Sequence, residues 1–149
     1  MVSIAFVDDH PFLLEGVQSI FRRRAGFDVV GTGSCCDDAL HIARDLKPEV
    51  IVLDLNMEGD AFLCIVDIHR TFPDARIIAF TASANVNHAV RALEAGASGY
   101  VLKGGPLASL AEAIDTVIHG GTYITQGFAT KLVAAVKRSK SGDELRMSS

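Results

Sequence analysis

Tryptophan is absent from the 149 residues and tyrosine occurs twice, which leaves few aromatic walls for a stacked planar cofactor. Cysteine is scarce: Cys35, Cys36 and Cys64 are odd in number and lack metal-ligand spacing. That excludes a zinc site and a disulfide framework, so the three read as reduced, small apolar fillers in a reducing compartment. No apolar run approaches the roughly 20 residues that span a bilayer, and the first ten residues lack a charged signal-peptide start. Positive charge does not dominate either. Fourteen Lys and Arg against 18 Asp and Glu give a net charge of −4, so no general attraction for nucleic acid is expected. The one basic cluster, Arg22-Arg23-Arg24, reads as a solvated helix end favoured by the helix dipole. Together these absences point to a cytoplasmic protein that meets no membrane.

What is present is regular alternation. Apolar residues make up 49% of the chain and charged ones 21%, enough for one domain with a real core. Val2 to Val7 reads as a strand. Pro11 then opens a helix carrying Leu13, Leu14, Val17, Ile20 and Phe21 on one face, ending before Gly26. Phe27 to Thr32 is a second strand, followed by a helix from Asp37 or Asp38 to Leu46. Val50 to Leu53 is apolar on both faces, as an interior parallel strand must be. A helix from about Asp60 to Thr71, a strand from Ala75 to Phe80 and a helix from Val86 to Ala95 come next. Ser98 to Leu102 is the fifth strand, and the fifth helix runs from near Pro106 to Gly120. A sixth helix is expected over Phe128 to Val136, and the polar tail from Arg138 reads as a linker.

Five strand-then-helix units predict parallel pairing with right-handed crossovers and helices on both faces. In such open sheets, sites form beyond the carboxyl ends of the strands. The first strand ends in Asp8 and Asp9, the third in Asp54, the fourth in Thr81 and the fifth in Lys103. The second strand ends without an ionisable group. The flavodoxin-like strand order 2-1-3-4-5 accounts for this, because it makes the second strand the edge and gathers the other four ends.

Three carboxylates in one pocket repel. At about 5 Å and an effective dielectric of about 20, each pair costs roughly 3 kcal/mol. Lys103 offsets part of this, and a hard divalent cation offsets more. Mg²⁺ needs only one or two carboxylates and a carbonyl, because it keeps waters for its other positions. An Asp at the mouth of a cleft can also attack phosphorus and carry the phosphoryl group as an acyl phosphate. Such transfer needs mainly positioning and charge neutralisation. Taken singly, each of these residues reads as a helix cap, a turn residue, a strand former or a surface lysine. Their joint occurrence at neighbouring strand ends is what argues for a site.

The segments "VDDHP", "VLDLNM", "FTAS" and "GYVLKG" resemble the receiver domain of bacterial two-component response regulators. "DDHP" and "GGTYIT" are similar to the subfamily bearing a LuxR-type (NarL/FixJ-like) helix-turn-helix tail. The resemblance covers about residues 1–121 as the receiver, with 122–149 as connecting helix and linker. It implies Asp54 as phosphoacceptor, and Asp8, Asp9, Asp54 and the Asn56 backbone carbonyl around Mg²⁺ or Mn²⁺. Asp9 would be a direct ligand and Asp8 would act largely through water. It also implies Lys103 as the phosphate-pairing lysine, with Thr81 and Tyr100 as switch residues, Tyr100 moving into space that Thr81 vacates. Two positions depart from the family pattern. Glu58 and Gly104 stand where proline is common, so the loops after Asp54 and Lys103 are expected to be looser.

The implied partners are a sensor histidine kinase or phosphotransfer protein, a second copy on phosphorylation, and DNA only through a helix-turn-helix absent from this sequence. The linker-like tail favours a receiver fragment over a natural single-domain receiver. Such a domain catalyses only its own phosphotransfer and dephosphorylation and is not otherwise an enzyme. Three rivals remain in view. A haloacid-dehalogenase-like phosphatase would want a second acid two residues after its nucleophile, where Asn56 stands. A flavin-binding module is disfavoured by the acids in the first loop. A degenerate receiver serving only as an interaction surface would differ in failing to accept phosphate.

Overall fold

A computed structural model describes residues 1–125 and 127, 128, 130, 131, 133, 134 and 137. Strands and helices alternate: β1 (Val2–Val7), α1 (Pro11–Arg23), β2 (Phe27–Gly33), α2 (Cys36–Asp45), β3 (Val50–Leu53), α3 (Ala61–Thr71), β4 (Arg76–Thr81), α4 (Val86–Ala95), β5 (Gly99–Leu102), α5 (Leu107–Ile118) and β6 (Tyr123–Ile124). The sheet is parallel, with six strands in the order β2-β1-β3-β4-β5-β6. The flavodoxin-like α/β architecture and the order of its first five strands follow the sequence expectation. The sixth strand does not. Tyr123 and Ile124 add a short rung beside Gly99 and Tyr100, so the sheet continues past the expected boundary at 121. Of the helix expected over 128–136, residues 130, 131, 133 and 134 are helical and 129, 132, 135 and 136 lie outside the described residues, as does the whole tail from 138.

Period-two alternation along the strands divides the core into two layers. Ala5, Val7, Ile51, Leu53, Ile77 and Ala79 face α2, α3 and α4. Their neighbours Ile4, Phe6, Val52, Ile78, Phe80 and Val101 face α1 and α5. Helix ends follow local chemistry. Asp60 caps α3 by accepting the backbone N–H groups of Phe62 and Leu63 at 3.0 and 3.1 Å. Gly96 closes α4 at φ +124°, and a Cβ there would meet the His69 ring at 2.5 Å. Only glycine fits both constraints.

One expectation is corrected. Cys36 at the start of α2 and Cys64 in α3 form a disulfide, their Cα atoms 5.8 Å apart, while Cys35 is free. Both residues lie in the layer where α2 and α3 pack side by side, so they are bridged across helices rather than reduced fillers. Arg22, Arg23 and Arg24 are exposed at the end of α1, as expected of a solvated helix terminus. Among the described residues, no helix is long and apolar enough to cross a membrane.

Candidate functional site

The parallel register sets the site. Val7 pairs with Leu53, so the next residues, Asp8 and Asp54, leave neighbouring strands side by side. Thr81 pairs with Leu102, and the Lys103 backbone N–H donates to the Thr81 carbonyl at 2.9 Å. The ends of β1, β3, β4 and β5 therefore converge at one edge, as the arrangement of polar residues predicted. β2 ends away from them, beyond β1.

Lys103 is the hub of the pocket. Its ammonium lies 2.8 Å from Asp8 Oδ2 and 3.3 Å from Asp54 Oδ1. Asp8 and Asp54 are both buried, whereas the Asp9 side chain is 41% exposed at the rim. The Asn56 backbone N–H donates to Asp54 Oδ1 at 3.1 Å. Asp54 Oδ2 has no hydrogen-bond partner among the described residues. An unpartnered, buried carboxylate oxygen is costly, and the cost falls when a cation or a covalent bond meets it.

The two buried acids are pushed in opposite directions. Burial would raise the Asp8 carboxyl, but the Lys103 ammonium and the His10 backbone and ring outweigh it and hold Asp8 below the ordinary carboxylate value. Burial dominates at Asp54, and the nearby Asp8 charge adds to it. Together they overcome the Asn56 N–H and Lys103, so the Asp54 carboxyl titrates above the ordinary value.

Thr81 is buried and its hydroxyl oxygen accepts from the Asn56 side-chain amide at 3.4 Å and the Ser83 backbone N–H at 3.2 Å. That leaves the hydroxyl proton for a further acceptor. Tyr100 is fully buried, its hydroxyl donating to the Ser83 carbonyl at 2.7 Å and its ring stacked on Phe128 at 5.6 Å. The aromatic position expected to move inward is already inside. Glu58 is exposed on the loop after β3, and Gly104 has open space where a side chain would project. Among the described residues there is no cis peptide bond.

Sequence reasoning left three participants unnoticed, His10, Ser83 and His88, and missed the side chain of a fourth, Asn56. His10 places Nδ1 at 2.9 Å from Asp8 Oδ1, 3.1 Å from Asp9 Oδ1 and 3.7 Å from Asp54 Oδ2. The Asn56 side-chain amide also bridges to Thr81. Ser83 and His88 extend the Thr81 loop onto α4, with Ser83 Oγ and His88 Nδ1 2.7 Å apart. Only His10 left a signal, since a histidine directly between two acids and a helix-opening proline must sit at the same strand end.

Asp8, Asp9, His10 and Asp54 each bring a ligand atom within 4.8 Å of the others. Hard oxygen donors and the orphaned Asp54 Oδ2 fit a divalent cation. When bound, such an ion neutralises charge at a phosphoryl group; Asp8 and Asp9 would hold it and Lys103 would complete the positive side.

A parallel sheet flanked by α1 to α5, with an acid pair, a third acid and a lysine at its carboxyl edge, has the architecture of a receiver domain. The response regulator receiver domain family matches residues 4–115, and the chain belongs to that family. It is 33% identical over 133 residues to the response regulator GacA of Pseudomonas aeruginosa, covering 89% of this chain and 62% of GacA. With the oxygen regulatory protein NreC of Staphylococcus epidermidis it shares 31% identity, covering 99% of this chain and 69% of NreC. A crystal structure of a LuxR-family two-component response regulator from Aurantimonas sp. SI85-9A1 superposes with a TM-score of 0.86 at 32% identity, over 91% of this chain and 97% of that one. The isolated receiver domain of Salmonella enterica RcsB with the phosphomimetic BeF3⁻ gives 0.79 at 26%, over 88% and 97%. The receiver is thus of the LuxR-type subfamily. The chain spans about three fifths of the length of the GacA proteins it matches.

Proposed function

We propose that this receiver accepts a phosphoryl group on Asp54 from a phosphohistidine of a sensor kinase or phosphotransfer protein, with Mg²⁺ or Mn²⁺ required. In the transfer an Asp54 carboxylate oxygen bonds to phosphorus, the bond from phosphorus to the donor imidazole nitrogen breaks, and that nitrogen leaves with the electron pair and takes a proton. The observation carrying this reading is Lys103 Nζ held 2.8 Å from Asp8 and 3.3 Å from Asp54, beside the unpartnered Asp54 Oδ2. Lys103 steadies the incoming phosphoryl charge. Asp9 and the Asn56 carbonyl complete the cation's ligands with Asp8 and Asp54.

The Thr81 hydroxyl, free to donate, would turn to a phosphoryl oxygen and loosen its bonds to Asn56 and the Ser83 backbone. Ser83 also holds the Tyr100 hydroxyl and sits against His88 of α4, so movement there repacks the face made by α4, β5 and α5. That repacking changes pairing between two copies and so the output on transcription. RcsB, a structural neighbour, is known as dimers bound to two parallel DNAs. By likeness, DNA contact here belongs to a helix-turn-helix beyond the matched receiver, and the exchange takes place in the cytoplasm. The domain turns over no external phosphate ester.

The test is incubation with a small acyl phosphate and Mg²⁺ followed by intact mass. Wild type is expected to gain one phosphoryl group, lost with chelator and in Asp54→Asn. No gain by wild type would leave the chain an interaction module, and undiminished gain by Asp54→Asn would move the acceptor elsewhere.

A further inference from the structure

His10 has no part in the transfer just described, yet its ring nitrogen comes within 3.7 Å of Asp54 Oδ2. The backbone explains why. A residue before proline is confined to extended dihedrals, and His10 stands at φ −95° and ψ 98° as the residue capping α1. Three consecutive side chains, Asp8, Asp9 and His10, are thereby turned toward one point. Octahedral ligands at about 2.1 Å from an ion stand roughly 3.0 Å apart when adjacent. His10 Nδ1 lies 2.9 Å from Asp8 Oδ1 and 3.1 Å from Asp9 Oδ1, which are separations of that kind. Across from them is Asp54 Oδ2, buried and unpartnered, 3.7 Å from the same nitrogen. Lys103 engages Asp8 Oδ2, while Oδ1 faces this side and accepts from the His10 backbone N–H at 2.9 Å. Three carboxylates against one ammonium leave two negative charges, and an ion that takes the Nδ1 lone pair displaces the proton this nitrogen shares with Asp8 Oδ1.

We propose that His10 Nδ1 is a direct ligand in this pocket, giving it a nitrogen donor that favours Ni²⁺, Co²⁺ and Zn²⁺ over Mg²⁺. Magnesium binds oxygen and gains little from imidazole, whereas those ions gain much. The proton of the ring then sits on Nε2, toward solvent. The inference rests on the cation-dependent reading above, but it concerns which ion the pocket prefers and is tested without phosphate.

The experiment uses the full chain loaded with Mn²⁺ and read by electron spin echo. Wild type is expected to show a directly bound ¹⁴N, changed by ¹⁵N-histidine labelling and abolished in His10→Ala. His10 is largely exposed, so its truncation leaves the core intact. By calorimetry, His10→Ala should bind Ni²⁺ at least tenfold more weakly while its Mg²⁺ affinity stays within about threefold. Bound Mn²⁺ without nitrogen coupling in wild type, or unchanged Ni²⁺ affinity in His10→Ala, overturns this inference alone. Failure of Mn²⁺ to bind at all overturns it together with the cation-dependent reading.

Discussion

Asp54 carries opposing demands in one side chain. Burial with one oxygen unpartnered costs folding energy, while the same free lone pair is what the proposed transfer uses. Replacing it by Asn removes the charge, and Asp54→Asn is expected to be more stable at neutral pH by about 1–2 kcal/mol. Differential scanning calorimetry should show a melting temperature several degrees higher. The pH dependence follows from the two acids' opposite shifts. A folded-state value raised above the unfolded one, as at Asp54, means that the folded chain binds the proton more readily; its penalty is present at neutral pH and fades as pH falls through the raised value. The advantage of Asp54→Asn should therefore shrink on acidification. Asp8 is depressed, so its stabilisation is full above the ordinary carboxylate value and disappears as pH falls through that value toward the lower folded one. Asp8→Asn should be less stable than wild type near pH 7 and converge with it in acid, as urea titrations across pH would report.

Among the elements, α4 is tied to the pocket loop through Ser83 and His88, and its C-terminal glycine is testable. Gly96→Ala must adopt φ +124° and press its methyl group on His69, so a loss of more than about 1 kcal/mol is expected from urea unfolding. A neutral result would mean that the α4 end relaxes freely. Much of this level was legible in advance. Strands with apolar residues on both faces and helices with one apolar stripe leave little choice of layer, and strand ends then fix the pocket. The remainder had no local signature. β6 is two residues long and exists only because β5 offers it an open edge. Phe128 stacks on Tyr100 through tertiary packing, which no periodicity encodes. Cys36 and Cys64 are 28 positions apart, and only the neighbouring of α2 and α3 brings them together. Thiol titration of unreduced, denatured protein should accordingly find one reactive cysteine, rising to three after reduction; three at the outset would contradict the pairing.

At the scale of the molecule, the pocket opens beside Phe12, which is 89% exposed at the first turn of α1. A large aromatic in water next to the reacting groups gives a protein donor something to grip that a small acyl phosphate does not use. Phe12→Ala is expected to slow phosphotransfer from a phosphohistidine protein about tenfold or more, while leaving labelling by acyl phosphate nearly unchanged. Equal slowing of both would place Phe12 in the chemistry rather than in docking. The whole account stands or falls on where the phosphoryl group goes. Borohydride reduction of the phosphorylated chain converts an acyl-phosphate aspartate to homoserine, which peptide mass spectrometry then locates. Homoserine at position 54 and nowhere else is the predicted result; homoserine at position 8 or 9, or none from a chain that carries phosphate, would contradict it.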